Sequence, residues 1–415
     1  MLRGSFQVKN KLVVNTAMLY IMNIAKLVFP FVTLPYLTRV LSVEGYAMVS
    51  YVKSVMQYMQ LTVDFGFMLS ATTAIVAAAG DGKKIGSIVS NTILAKLLLC
   101  GAALAALSVM TASIALLREN VTYVLLSFVT VALSAFLVDY LFRGLEQMQE
   151  ITIRFVTMKG IATALTFVLV RSDGDLLWIP VLDILGTVVS LVLVWARVRR
   201  YGVRLCVPKL RVAWRQLKDS FRYFVSDMAT TAFGALNTLL IGIMLPTAQI
   251  ALWSVAMQII AAVQVLFNPI TGGIYPEMVR SRSAGLLKKV CKICIPVLIA
   301  GCAALYLLAK LAILIVSGEK YLDAVPLLRL LVPVLLFSFP AMLLGWPALG
   351  ALGKVKETTA TTVLSAVFQC AGLALLMASG NFTLITIAVL RCATEFILFA
   401  SRLSFCIRFR KEFQP

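Results

Sequence analysis

Apolar stretches about as long as a bilayer is thick recur along this chain, each closed by a short polar connection. They fall near residues 12–36, 46–76, 87–116, 121–142, 152–171 and 176–196. A second set follows near 223–245, 248–275, 293–316, 325–351, 359–379 and 382–406. About 20 apolar residues in a helix cross the ~30 Å hydrocarbon core. The pattern therefore predicts an all-α integral membrane protein of about twelve transmembrane helices. The first stretch is too long for a cleaved signal, whose apolar region runs about 7–15 residues; it continues into Pro35-Tyr36-Leu37-Thr38-Arg39.

The longest hydrophilic segment lies between the sixth and seventh stretches and divides the chain. The expected organisation is an N-terminal six-helix lobe over 1–200, a basic linker over 201–222 and a C-terminal six-helix lobe over 223–415. Six spans per half give both halves the same orientation, the arrangement of a parallel repeat related by a pseudo-twofold axis along the membrane normal. A shift of 201 residues superimposes Lys26 on Asp227, Gln57 on Gln258 and Gly144 on Gly345, a sparse echo of that repeat.

Composition agrees, with 61% hydrophobic and 13% charged residues, far from the balance of soluble domains. The net charge of +20 would point a soluble protein toward nucleic acid, but its distribution says otherwise. With a cytoplasmic amino terminus, 26 basic residues fall in cytoplasmic segments, nine of them between Arg197 and Arg222. Four fall outside: Arg39, Arg118, Arg171 and Lys320. That asymmetry obeys the positive-inside rule, places both termini in the cytoplasm and removes the nucleic-acid reading. The eight cysteines are scattered, and Cys291-x-x-Cys294 has neither a second pair nor any histidine in the chain to complete a metal site. No metal and no cofactor are expected.

Polar residues inside spans come at a cost, so they mark bundle interiors or wet cavities. Four helices carry them at three-and-four spacing, which keeps them on one face. The first span has Thr16, Tyr20, Asn23, Lys26, Pro30 and Thr33. The second has Tyr46, Ser50, Lys53, Gln57, Gln60 and Asp64. The seventh has Asp227, Thr230, Gly234 and Asn237, and the eighth has Ser254, Gln258, Gln264 and Asn268. These faces are expected to line one hydrated central cavity, although interhelical hydrogen bonding explains isolated members equally well. Lys159, Lys310, Arg329 and Arg402 stand near helix ends and are expected to snorkel. Asp139 with Arg143, and Arg391 with Glu395, are spaced to pair along one helix. Asp183 has no local partner.

Several segments resemble a known family. Leu34-Pro35-Tyr36-Leu37-Thr38-Arg39-Val40-Leu41 with Glu44-Gly45-Tyr46 is similar to the opening of bacterial Wzx-type polysaccharide (O-antigen and capsule) flippases, within the multidrug/oligosaccharidyl-lipid/polysaccharide exporter superfamily. Asp64-Phe65-Gly66-Phe67, the run from Asp139 to Glu146, and Gly318-x-x-Tyr321 with Ala324 and Pro326 follow in the family's order. Tyr140, Arg143 and Ser42 depart from it, standing where Trp, Gln and Gly are more frequent.

The resemblance implies a MATE-like pair of lobes forming a V and a cationic cavity open alternately to each side. It implies a non-enzymatic flippase of the bacterial cytoplasmic membrane that carries an undecaprenyl-diphosphate-linked oligosaccharide to the outer leaflet. On that reading Lys26, Lys53 and either Lys96 or Arg391 hold the diphosphate. Asn23, Gln57, Gln60, Asn237, Gln258 and Asn268 meet sugar hydroxyls, and Asp64 or Asp227 couples transport to H+ or Na+. Membrane lipids, a polysaccharide polymerase and glycosyltransferases are the implied partners. A cation-coupled multidrug antiporter of the same fold and a lipid II flippase are the alternatives; a glycosyltransferase would need a larger outer loop than any here.

Overall fold

A computed structural model describes residues 2–78, 81–232 and 234–414. The chain divides into two compact units, Met1–Met228 and Ala229–Pro415. The first is built on α1 (Leu2–Val40), α2 (Val43–Asp64), α3 (Phe67–Ala77), α4 (Gly82–Ser113), α5 (Ala115–Glu119), α6 (Val121–Ser134), α7 (Asp139–Gly144), α8 (Met148–Leu169), α9 (Trp178–Arg200) and most of α10 (Leu210–Ala232). The second contains α11 (Ala235–Met244), α12 (Thr247–Val265), α13 (Phe267–Ser281), α14 (Ala284–Leu307), α15 (Ala309–Ser317), α16 (Val325–Leu343), α17 (Val355–Ala378) and α18 (Leu384–Arg408). Eleven helical stretches among the described residues are long and apolar enough to cross a membrane, and α11 is a shorter apolar helix. This is a multi-pass membrane protein. Large apolar side chains stay exposed on outer faces, such as Val192 at 66%, Leu307 at 72% and Leu375 at 69%. Lipid tolerates that surface, whereas soluble proteins rarely present it in quantity.

Long spans are broken where the sequence reading drew single helices. The second is split between α2 and α3 at Phe65 and Gly66, both left-handed, at φ 41° and 74°. Glycine is required at the latter for two reasons. Left-handed backbone is open to it, and a Cβ there would lie 2.5 Å from Tyr223 Cβ. The eighth span breaks at Leu266, between α12 and α13, a position 201 residues beyond Phe65. The seventh expected span, 223–245, is divided between α10, which ends at Ala232, and α11, which begins at Ala235. The side chains of Thr16 and Thr230 lie outside the described residues.

The basic linker differs most from its expected form. Its first part is pinned to α4: the Cys206 amide donates to Ser90 Oγ at 3.1 Å and the Lys209 amide to Asn91 Oδ1 at 2.7 Å. From Leu210 it is helical, and α10 buries Ala213 and Ser220 completely. The Ser220 and Ser70 hydroxyls lie 2.6 Å apart, and Phe224 stacks on Phe65 at 4.5 Å. These contacts draw α10 into the first unit, so the division falls after Met228 rather than at 222.

Inside the first unit α8 packs on α1 and α9, α6 on α9, and α2 on α4 and α6. In the second, α16 and α17 pack on α18, and α12 and α14 pack on α16. Helix ends are stabilised locally. Ser42 Oγ accepts from Gly45 N at the start of α2, and Asp81 from Lys83 N and Lys84 N at the start of α4. The carboxyl of Asp81 is held below its ordinary range, chiefly by the Lys84 amide bond.

Candidate functional site

The first unit encloses a cavity of about 430 Å3. Proline-containing α1 supplies Lys26, Pro30 and Thr33 to its wall, and α2 supplies Lys53, Gln57 and Gln60. Helices α6, α8 and α9 close it with Tyr123, Ser127 and Thr130, with Phe155, Lys159 and Thr163, and with Pro180 and Asp183. Lys53, Gln57 and Gln60 lie at four-and-three spacing on α2, which is why one helix face delivers all three.

The charges are unequal. Lys159 Nζ lies 2.9 Å from Asp183 Oδ1, the local partner that Asp183 lacked in the sequence reading. Lys26 stands over the Phe155 ring, 5.7 Å from its centroid. Among the described residues neither Lys26 nor Lys53 has an acid within ion-pair distance. The lining thus carries three lysines against one carboxylate, a net charge near +2. An anion 4 Å from one such lysine gains about 4 kcal/mol at an effective dielectric of ~20. Lys159 was expected to snorkel; it lines the cavity instead, because α8 and α9 bring it opposite Asp183.

Other candidates are placed elsewhere. Lys96 is buried and pairs with Asp64 Oδ1 at 2.8 Å, and Gln60 Nε2 donates to the other Asp64 oxygen at 2.8 Å and to Ser134 Oγ at 2.9 Å. Asn23 is exposed on α1 and does not line the cavity. Asp227 is half-buried on α10.

In the second unit Asn237 is fully buried and accepts from Gln369 Nε2 at 2.9 Å, while Thr394 Oγ1 donates to Gln369 Oε1. Arg391 pairs with Glu395 at 2.6 Å, both buried, as their spacing predicted. Gln258 is half-buried on α12, and Asn268 lines a separate pocket. Asp139, expected to pair with Arg143, pairs with Arg154 instead. Arg154 stands on α8, which packs beside α7. Arg402, also expected to snorkel, is buried.

Sequence reasoning missed Phe155, Lys159, Thr163 and Asp183. Lys159, Thr163 and Thr166 recur at four-and-three spacing on α8, the signal that singled out α1 and α2.

Residues 12–282 match the profile of a family described as polysaccharide biosynthesis protein. The chain belongs to that family. Two similar curated proteins are each named "Putative O-antigen transporter". One, from Shigella dysenteriae, is 28% identical over 275 residues, covering 64% of this chain and 66% of the relative. The other, from Escherichia coli K12, is 29% identical over 317 residues, covering 74% and 75%. The chain therefore spans just under two thirds of the length of the first and three quarters of the second. Among solved structures, an inward-facing multidrug resistance MATE family transporter of the MOP superfamily aligns at TM-score 0.67 and 14% identity, over 94% of each chain. Its outward-facing counterpart gives 0.60 at 14% identity over 96% of each. At such identity the likeness is one of fold.

The segments that carry the family resemblance have structural work. Ser42 caps α2, and its amide donates to Asp173 Oδ1 at 2.9 Å. A Cβ on Gly45 would fall 2.3 Å from that oxygen, so glycine lets the 171–177 connection close on α2. Asp64 and Gly66 bracket the α2–α3 break.

Proposed function

We propose that this member of the polysaccharide biosynthesis family is a flippase rather than an enzyme. It moves an undecaprenyl-diphosphate-linked oligosaccharide from the cytoplasmic to the outer leaflet of a bacterial cytoplasmic membrane, with both termini cytoplasmic. The observation that carries this reading is the cavity in which Lys26 and Lys53 stand, with no ion-paired carboxylate among the described residues, beside Lys159–Asp183. A diphosphate bearing sugars cannot enter hydrocarbon unaided, and lysines in a low-dielectric site offset its charge. Gln57, Gln60, Thr163 and Ser127 offer donors and acceptors for hydroxyls around them. The names of the two O-antigen transporter relatives support the substrate class.

In the proposed cycle the cavity opens alternately to each side while the lipid tail stays in the bilayer. Asp64 or Asp227 is the coupling acid for H+ or Na+. Glycosyltransferases act before this step and a polymerase after it.

The test is a Lys26→Gln, Lys53→Gln double variant. Surface glycan is expected to fall by more than about tenfold while membrane abundance stays within about twofold, because removing an uncompensated charge relieves an insertion cost. Lys→Arg at either site should retain part of the export. Normal surface glycan in the double Gln variant would refute the cationic-cavity mechanism.

A further inference from the structure

The second unit holds a pocket of about 400 Å3. It is lined by Asn268, Thr271, Gly272 and Tyr275 of α13, by Met342, Trp346 and Pro347, and by Arg402 of α18. We propose that it is a second binding site, for a phosphorylated sugar, centred on Arg402 and Trp346.

The guanidinium is the first reason. Arg402 is 8% exposed, and the hydrogen-bond acceptors it meets are neutral. Nη1 donates to the Ala341 carbonyl at 2.7 Å, Nη2 to Thr362 Oγ1 at 3.0 Å and Nε to Thr361 Oγ1 at 3.3 Å. Among the described residues no carboxylate lies within ion-pair distance of it. Arg391 on the same helix meets Glu395. A guanidinium has five N–H donors, so two remain beyond those three bonds. A buried cation in a membrane segment marks a functional site by default, and the planar fork suits phosphate oxygens.

The backbone beside it is the second reason. Leu344–Gly350 is a π-helical turn following α16, with Gly345 at ψ −108°; such turns concentrate at functional sites. A Cβ on Gly345 would sit 2.7 Å from Arg402 Nη1, so the bare glycine admits the guanidinium. The same turn presents Trp346 at 53% exposure, and Tyr275 is 38% exposed. Two open aromatic faces beside a cation suit the apolar C–H face of a sugar ring bearing a phosphate, with the Asn268 amide available to its hydroxyls. A Cβ on Gly272 would meet nothing within 4 Å, so the pocket is open along α13.

The ligand class rests on the proposed function; the binding event does not, and it can be measured without transport. The full chain carrying Lys26→Gln and Lys53→Gln, so that the first cavity contributes little, is placed in phosphatidylcholine nanodiscs and titrated with glucose 1-phosphate. Saturable binding is expected, weakened by about tenfold or more in Arg402→Lys, Trp346→Ala and Gly272→Leu variants. Glucose alone and inorganic phosphate alone should each bind about tenfold more weakly. Trp346→Ala and Gly272→Leu break no buried bond, so they decide the matter if Arg402→Lys does not fold. Absence of saturable binding, indifference to both of those variants, phosphate alone binding as tightly, or displacement by phosphatidylglycerol in the disc would each overturn the proposal. Export lost in the double lysine variant with no binding at Arg402 would remove this site and leave the first reading standing.

Discussion

The two units use similar helices for opposite ends. In the first, α1, α2, α6, α8 and α9 surround open space and leave two lysines unneutralised. In the second, several buried polar residues are spent on one another: Gln369 with Asn237 and Thr394, and Arg391 with Glu395. At the 201-residue shift Lys53 corresponds to Ser254, which is 8% exposed, and Lys26 to Asp227. Equivalent elements therefore do not carry equivalent chemistry. A polar position in a membrane helix becomes a site when its neighbours leave it unsatisfied, and becomes core when they satisfy it.

Arg391→Gln should break this contrast most severely if the contrast is false. It strands Glu395 as a buried charge, and losing one partner of a buried pair costs about 3–5 kcal/mol. Membrane abundance should collapse, and a second change, Glu395→Gln, should restore most of it. Lys53→Gln in the first unit should leave abundance near normal. Quantifying both variants in the membrane fraction would reverse the comparison if Lys53→Gln proved the more damaging.

Gly66→Ala is next. A methyl group would press on Tyr223 and the Phe224 amide and would force a side chain into left-handed backbone, at a cost of about 1–3 kcal/mol. Thermal unfolding of the detergent-solubilised protein should show a clear drop. An unchanged midpoint would mean that α10 does not dock on the α2–α3 break.

The pair Gln369→Leu and Gln57→Leu sharpens the comparison. Gln369 bridges Asn237 and Thr394 in the buried core, so its loss removes two buried hydrogen bonds, at about 1–3 kcal/mol. Gln57 faces the cavity, where the same change should alter stability by less than about 0.5 kcal/mol while reducing export. Equal thermal shifts for the two variants would erase the distinction between core and cavity.

The smallest expected effect is at Ser42, which caps α2. Ser42→Gly should cost only a few tenths of a kcal/mol, and Ser42→Ala about 1 kcal/mol, read from the same melting curves.

Much was legible before any coordinates. Hydropathy alone marked the spans, because a bilayer core demands long apolar helices whatever packs around them. Three-and-four spacing singled out Lys26, Lys53, Gln57 and Gln60, since one helix face is a property of local geometry. The i,i+4 pair Arg391–Glu395 was legible for the same reason. Partners on different helices were not. Lys159–Asp183, Lys96–Asp64 and Arg154–Asp139 join helices whose juxtaposition no periodicity encodes. Nor did hydropathy reveal that α10 docks on the first unit, because its amphipathic face becomes informative only against a partner surface. The chain's own pattern determined that this is a helical membrane protein with cationic and polar faces. Tertiary packing decided which of those faces stay open and charged, because whether a buried charge is neutralised depends on the one neighbour that happens to lie within a few ångströms.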